Sequence, residues 1–359
     1  MKPIRFALVG SGAIAPTHAR VITTLDGAQL AAIHSTSAFK GGELARQFGC
    51  VYHADYTTML ADPSVDAVVI CTPSGTHAAQ AIQAARAGKH VIVEKPLALT
   101  LEEADAVLRC CRENGVQLGT ILQRRFSPGV VKLKRLIAEG RLGILRYAGC
   151  YAKLYRSQEY YDSGSWRGTW QLDGGGVLMN HGIHYVDLLV YLAGPVKMVT
   201  ARCATLGHER IEVEDTATAL LTFANGAMGV MEATTNAWPG LSSRIDLYGS
   251  EGSAVIENDE LAFVSLKSGE EYRARPVSDQ AGVSSPAVAD DCHAAQYAGI
   301  VASLQAGEPL AVDGREGRKA LEIILAVYQS AYSGQTSHLP LADSRFLTDL
   351  AREGFGHQS

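Results

Sequence analysis

The sequence predicts an α/β protein in two parts. The first is a doubly wound parallel sheet, and the second is an α+β part built on a large, mostly antiparallel, open-faced sheet. Three observations carry that expectation. Short apolar runs alternate with helical spacing through the first third of the chain. Beyond residue 119 the pattern shifts to period-two alternation broken by Asn-Gly and Gly-Ser turns. And 359 residues exceed what one ordinary core holds, so two domains are expected, at 1–122 and 123–359.

In order, IRFALV at 4–9 reads as a buried strand bounded by glycine, followed by helical spacing through Val21 and Leu25. A second apolar run spans Leu30–Ile33, and a helix pattern surrounds Leu44–Phe48. Strand candidates then fall at Val51–Tyr52, Asp66–Cys71 and His90–Val93, with a helix at His77–Ala87. Strands alternating with helices imply right-handed crossovers and a parallel sheet. Later, VVKLKRLIAEGRLG reads as a basic helix and RYAGCYAKLY as a strand. TARCATLG, DTATALLTFANGAMGVMEATTN and SRIDLYGSEGSAVIEND follow as antiparallel runs. Residues 267–292 lack periodicity and read as an exposed loop.

Composition narrows the classes. A hydrophobic fraction of 47% and a charged fraction of 19% suit a soluble globular protein. A net charge of −5 gives no reason to expect a nucleic-acid or anionic-membrane partner. The seven cysteines have no metal-like spacing, and Cys110 and Cys111 fall in a helical pattern as reduced packing residues. That argues for the cytoplasm. Met1 leads straight into a strand, so no signal peptide is expected. No apolar run approaches the ~20 residues of a membrane span.

VGSGAIA, between the first strand and its helix, carries the fingerprint of a dinucleotide-binding Rossmann unit. Gly10 permits the tight turn, Gly12 lets the backbone approach a pyrophosphate, and Ala15 stands for the third glycine. The helix N-terminus near Ala13 and Ile14 offers amides and partial positive charge to phosphates. Where a carboxylate would grip the ribose stands Ser35, followed by Thr36, Ser37 and Lys40. Hydroxyls and a cation favour a 2′-phosphate, so NADP(H) is the preferred cofactor. NAD(H), with a solvated turn, is the alternative.

HVIVEKPLALT places Glu94, Lys95 and Pro96 at a strand's carboxyl end, where α/β folds bind ligands. With CTPSGTHAAQAIQAARAGKH before it and DGGGVLMNHGIHYVDLL later, the chain closely resembles the glucose–fructose oxidoreductase/inositol dehydrogenase family. That resemblance extends nearly end to end. It implies that Lys95 contacts substrate and nicotinamide, with Glu94 and Pro96 shaping the cofactor site. It sets Thr72, Pro73, Ser74 and His77 along the cofactor, joined by Gln123, Trp166 and Arg167. His184 inherits the role of acid/base beside the substrate hydroxyl. Arg124, Arg125, Tyr161, Asp173 and Asn180 are implied substrate contacts, and the second domain is implied to form a homodimer or homotetramer.

His184 and Asp187, three apart, fall on one helical face. His181 and His184 do not have the i, i+4 spacing usual for helical zinc ligands, so no metal is expected. Asn180 departs from the aspartate of inositol dehydrogenase-like members. It orients a hydroxyl but accepts no proton, which weakens that reading. The segment from RSQEYYDSGSW to HYVDLL looks more like UDP-N-acetylglucosaminuronate 3-dehydrogenases, which oxidise a nucleotide-sugar hydroxyl with NAD. HSTSAFKG is similar to NADPH-dependent 1,5-anhydrofructose reductases. The resulting expectation is a hydride-transferring enzyme acting on a ring hydroxyl or ketone of a sugar, nucleotide sugar or cyclic polyol. The competing class is a cofactor-sensing regulator without catalysis. Retention of both Lys95 and His184 argues against it.

Overall fold

The computed structural model describes residues 2–274 and 286–355. The chain divides into two units, one of Met1–Gln123 with Pro286–Arg318, the other of Arg124–Ser285 with Lys319–Ser359.

In the first unit, β1 (Ile4–Val9), α1 (Ala15–Thr24), β2 (Ala28–His34), α2 (Ala38–Phe48), β3 (Val51–His53) and α3 (Tyr56–Ala61) form the first half. β4 (Ala67–Ile70), α4 (His77–Arg86), β5 (His90–Val93), α5 (Leu101–Glu113) and β6 (Leu118–Thr120) form the second. The strands pair in the order β3-β2-β1-β4-β5-β6, all parallel. The order reverses between β1 and β4, so the loops after these two strands, at Gly10 and Thr72, flank the crevice where such sheets bind ligands. Phe6, Leu8, Val69 and Ile92 are fully buried, as continuous apolar runs in a sheet covered on both faces require. Helix starts follow local chemistry. Asp55 caps α3 and Thr100 caps α5 through its Oγ1, while Glu103 accepts the Leu99 N–H in return.

In the second unit come α6 (Pro128–Ala138), β7 (Leu145–Lys153), α7 (Gln158–Asp162), a π-helical turn (Val177–Gly182) and α8 (Ile183–Ala193). β8 (Val196–Ala204), β9 (Thr216–Phe223), β10 (Met228–Thr234), β11 (Arg244–Gly249), β12 (Gly252–Glu257), β13 (Glu260–Leu266) and β14 (Glu271–Arg273) follow. α9 (Pro286–Ala306) belongs to the first unit. α10 (Gly314–Ser333) then leads to β15 (Ser337–His338) and α11 (Phe346–Glu353). The nine-stranded sheet has the order β14-β13-β12-β11-β7-β10-β9-β8-β15, parallel only between β7 and β10. Alternation sets its faces: in β9, Ala217, Ala219, Leu221 and Phe223 are buried while Leu220 is 63% exposed. α8 packs against β7 and β11.

Two expectations are corrected. A single break after residue 122 does not describe the chain, because 286–318 return to the first unit. There Tyr297 is fully buried, with its ring edge-on to Phe6 at 5.8 Å, and Ile300, Val301 and Leu310 join the same core. Nor is 267–292 one loop: β14 and the start of α9 fall within it. Its residues 275–285 lie outside the described residues.

Candidate cofactor and active-site elements

Gly10 ends β1 at φ 113°, and a Cβ there would stand 2.8 Å from the Cys71 carbonyl oxygen. That close backbone approach admits only glycine. Gly12 is exposed, and a Cβ on it would meet nothing within 4 Å, leaving open space over the start of α1. No side chain caps that helix start. Together these form an open, amide-lined cradle fitted to a pyrophosphate. Gln123 adds a buried Oε1 with no hydrogen-bond partner among the described residues. The first unit thus fits a dinucleotide, which when bound would supply the hydride-carrying nicotinamide.

After β2, the Ser35 hydroxyl is paired with Ser11 at 2.7 Å and accepts the Ser37 N–H at 3.2 Å. Ser35 is buried, whereas Thr36 and Lys40 are exposed at the start of α2. No carboxylate stands in this turn. Thr72, expected along the cofactor, bonds to Thr76 at 2.8 Å and to Gln80 at 2.7 Å, while Pro73 and Ser74 remain half-buried.

His77, expected along the cofactor, is engaged internally. It is 1% exposed, and its ring nitrogens face the Pro96 carbonyl at 2.7 Å and the Thr72 carbonyl at 2.9 Å. Burial pulls its pKa down, against the two carbonyl acceptors, which favour the protonated ring. In that position it joins the Thr72 loop to the Glu94-Lys95-Pro96 turn, where Lys95 is half-buried and its peptide to Pro96 is cis.

Glu94 faces inward. Its Oε1 lies 3.0 Å from His18 Nε2 and its Oε2 accepts the Lys95 N–H at 3.1 Å. Burial opposes its ionisation, but the hydrogen bond from His18 and the nearby His293, 3.9 Å away, outweigh burial and hold the carboxyl well below its usual range. Burial keeps His18 neutral. Donating through Nε2 to Glu94, His18 then accepts the Tyr297 hydroxyl proton at Nδ1, over 2.9 Å. His18, Glu94 and His293 offer three buried ligand atoms within 4.8 Å of one another. No sequence spacing pointed to this group, because its members lie on α1, β5's end and α9.

In the second unit, Arg125, expected at the substrate, forms half of a buried ion pair. Its Nε donates to Asp187 Oδ2 at 2.8 Å and its Nη2 to Oδ1 at 2.5 Å. The guanidinium also lies 4.6 Å from the Tyr191 ring centroid. Arg124 likewise turns inward, donating to Asp259 at 2.6 Å and to the Tyr185 hydroxyl at 2.8 Å. Tyr161 is 6% exposed with its hydroxyl 3.2 Å from Thr235 Oγ1, so it too supports the unit from inside.

The other residues gather around the π-helical turn. Asn180 Nδ2 donates to Asp173 Oδ1 at 2.8 Å, and Asp173 Oδ2 accepts the Gly168 N–H at 2.9 Å. The Arg167 guanidinium lies 4.5 Å from the Trp166 ring and 4.1 Å from the Tyr160 ring. Tyr160 in turn lies 5.7 Å from the His181 ring. His184 is half-buried in the first turn of α8, one turn from the Asp187 that holds Arg125. Local π-helical turns of this kind are frequent at functional sites.

A dinucleotide cradle, a buried Glu-Lys-Pro turn and a histidine-bearing π-to-α helix together define the class: an oxidoreductase with an NAD-binding Rossmann unit. Residues 4–121 match the model of the GFO/IDH/MocA oxidoreductase family with its NAD-binding Rossmann fold, and residues 130–255 match that family's C-terminal domain. The chain belongs to this family. Its backbone superposes on the WlbA dehydrogenase of Bordetella pertussis, solved with NADH and UDP-GlcNAcA, with a TM-score of 0.86 at 35% identity, covering 95% of this chain and 99% of that one. A 1,5-anhydro-D-fructose reductase of Ensifer adhaerens is 30% identical over 344 residues, 93% of this chain and 98% of that protein. An inositol 2-dehydrogenase of Rhizobium meliloti is 28% identical over 333 residues, 91% of this chain and 96% of that protein. Among the described residues, no helix is long and apolar enough to cross a membrane.

Proposed function

We propose that this protein transfers hydride between a nicotinamide cofactor and a ring hydroxyl or ketone of a sugar or nucleotide sugar. The observation that carries the reading is that Lys95 and His184 are each seated on a braced backbone. Lys95 sits on a turn tied down by His77 and Glu94, and His184 opens the helix that follows the π-turn. In the oxidative direction His184 accepts the hydroxyl proton. Lys95 hydrogen-bonds the alkoxide as charge develops. Asn180, oriented by Asp173, fixes the ring. A nucleotide-sugar substrate is favoured by the likeness to the UDP-GlcNAcA-bound dehydrogenase at 35% identity.

NADP(H) is the favoured cofactor, with Thr36, Lys40 and the α2 N-terminus receiving the 2′-phosphate. Ser35, with its hydroxyl already paired, shapes that turn. Titration of the protein with NADPH and NADH, followed by tryptophan quenching, tests this. NADPH should bind at least ten-fold tighter, about 1.4 kcal/mol. Tighter NADH would overturn the phosphate reading and leave the nucleotide-sugar reading to be tested with NAD and UDP-GlcNAcA. A protein that binds cofactor tightly but oxidises or reduces nothing in a broad sugar and polyol panel would instead be a sensor. Cys50, Cys71, Cys110, Cys111, Cys150 and Cys203 are free thiols, which suits a reducing cytoplasm. The open face of the nine-stranded sheet is proposed to be covered in a homodimer or homotetramer.

A further inference from the structure

The DGGG stretch before the π-turn has a partner 38 residues downstream that the reaction as drawn does not use. Glu214 is 0% exposed. Its Oε2 accepts the Gly176 N–H at 2.9 Å, its backbone oxygen the Val177 N–H at 3.0 Å, and its Oε1 the Leu178 N–H at 3.0 Å. One residue therefore takes three consecutive amides that have no acceptor within the turn they open. Tyr328, on α10, adds its hydroxyl to Oε1 at 2.8 Å. The two glycines make room for this. A Cβ on Gly176 would fall 1.6 Å from the Glu214 carbonyl oxygen, and one on Gly175 would fall 2.2 Å from the Tyr328 hydroxyl.

We propose that Glu214 is the positioning residue for His184: by gripping the first three amides of the π-turn it fixes the phase of the helix that carries Asn180 and His184. This role rests on the hydride-transfer reading for its chemical consequence, but not for its geometry. Gly176, Leu178 and Tyr328 all donate to the Glu214 side chain, as suits an ionised carboxylate. Burial nevertheless pushes its pKa up to about 7. The titratable groups whose charge it feels are Tyr328 from α10, Cys203 from β8 and Tyr161 from α7. Among the described residues no cation pairs with it. The brace therefore changes its charge close to neutral pH, and the orientation of His184 changes with it.

The test is histidine-labelled NMR of the full chain from pH 5 to 9, with the His184 ring assigned through His184→Asn. In the wild-type protein the His184 resonances should carry, besides the titration of the ring itself, a second inflection near pH 7 that is absent in Glu214→Gln. In Tyr328→Phe, which removes one of the donors and spares the carboxylate, that inflection should move to higher pH. Where turnover is measurable, Glu214→Gln should lower kcat toward the ~10²-fold loss that a misplacement of about 1 Å causes, with KM little changed. If Glu214→Gln does not fold, Tyr328→Phe carries the test. Unchanged His184 resonances and titration in every folded variant would overturn the proposal. The NMR arm needs no substrate, so a failure of the sugar reading alone would leave its result standing.

Discussion

At the scale of single residues, two side chains carry the proposed chemistry and many more keep them in place. Lys95→Ala and His184→Ala should each reduce kcat by roughly 10²-fold or more, the usual contribution of a positioned acid, base or charge stabiliser. Steady-state turnover with an intact melting transition checks this, and near-wild-type kcat in both variants would sink the assignment. The two glycines of the fingerprint were legible in sequence because their requirement is local. The internal partners of Arg125 and His77 were not. Both residue types suit a ligand as well as an internal partner, and the partners that decide between them, Asp187 for one and two backbone carbonyls for the other, are set by folding. Asp187 did stand out, but only as a neighbour of His184 on the helix.

At the scale of elements, α8 is pinned at both ends of its first turns. Arg125 and Asp187 are 6% and 3% exposed, so removing one partner leaves a buried charge. Asp187→Asn should cost about 3–5 kcal/mol, read as a large drop in melting temperature. The π-turn ahead of α8 makes stability depend on pH through Glu214. Its folded pKa lies above the ordinary value of 4.5. The stabilising contribution is therefore complete below that value and is lost as pH rises through about 7. Thermal melts between pH 4.5 and 8 should show this decline in the wild-type protein and a flatter profile in Glu214→Gln. Three successive glycines were the one sequence signal that a backbone or side chain approaches closely there. They could not say which, because the answer sits on a strand-leading segment far along the chain.

At the scale of the whole molecule, the five strands β1 to β5 of the first unit were legible because each βα repeat declares itself within about 30 residues, whereas α3, β6 and α9 were not. The second sheet was legible from alternation, and its exposed face shows the same pattern from outside. Leu220 and Met228 are 63% and 68% exposed on adjacent strands. Sedimentation should find a dimer or tetramer, and Leu220→Glu combined with Met228→Glu should shift it toward monomer. A wild-type monomer would overturn the proposed covering of that face.

The return of α9 to the first unit also imposes an order of events on synthesis. Tyr297 closes the hydrogen-bonded line from His18 to Glu94, and it packs on Phe6 of the very first strand. A ribosome delivers β1 some 290 residues before it delivers that tyrosine. Through the whole interval the amino-terminal sheet must wait with part of its core uncovered. The cradle for the nucleotide is thus made well before the segment that completes the core beneath it. A nascent chain gains its full grip on the Lys95 turn only after strands β7 to β14 of the second sheet have been translated.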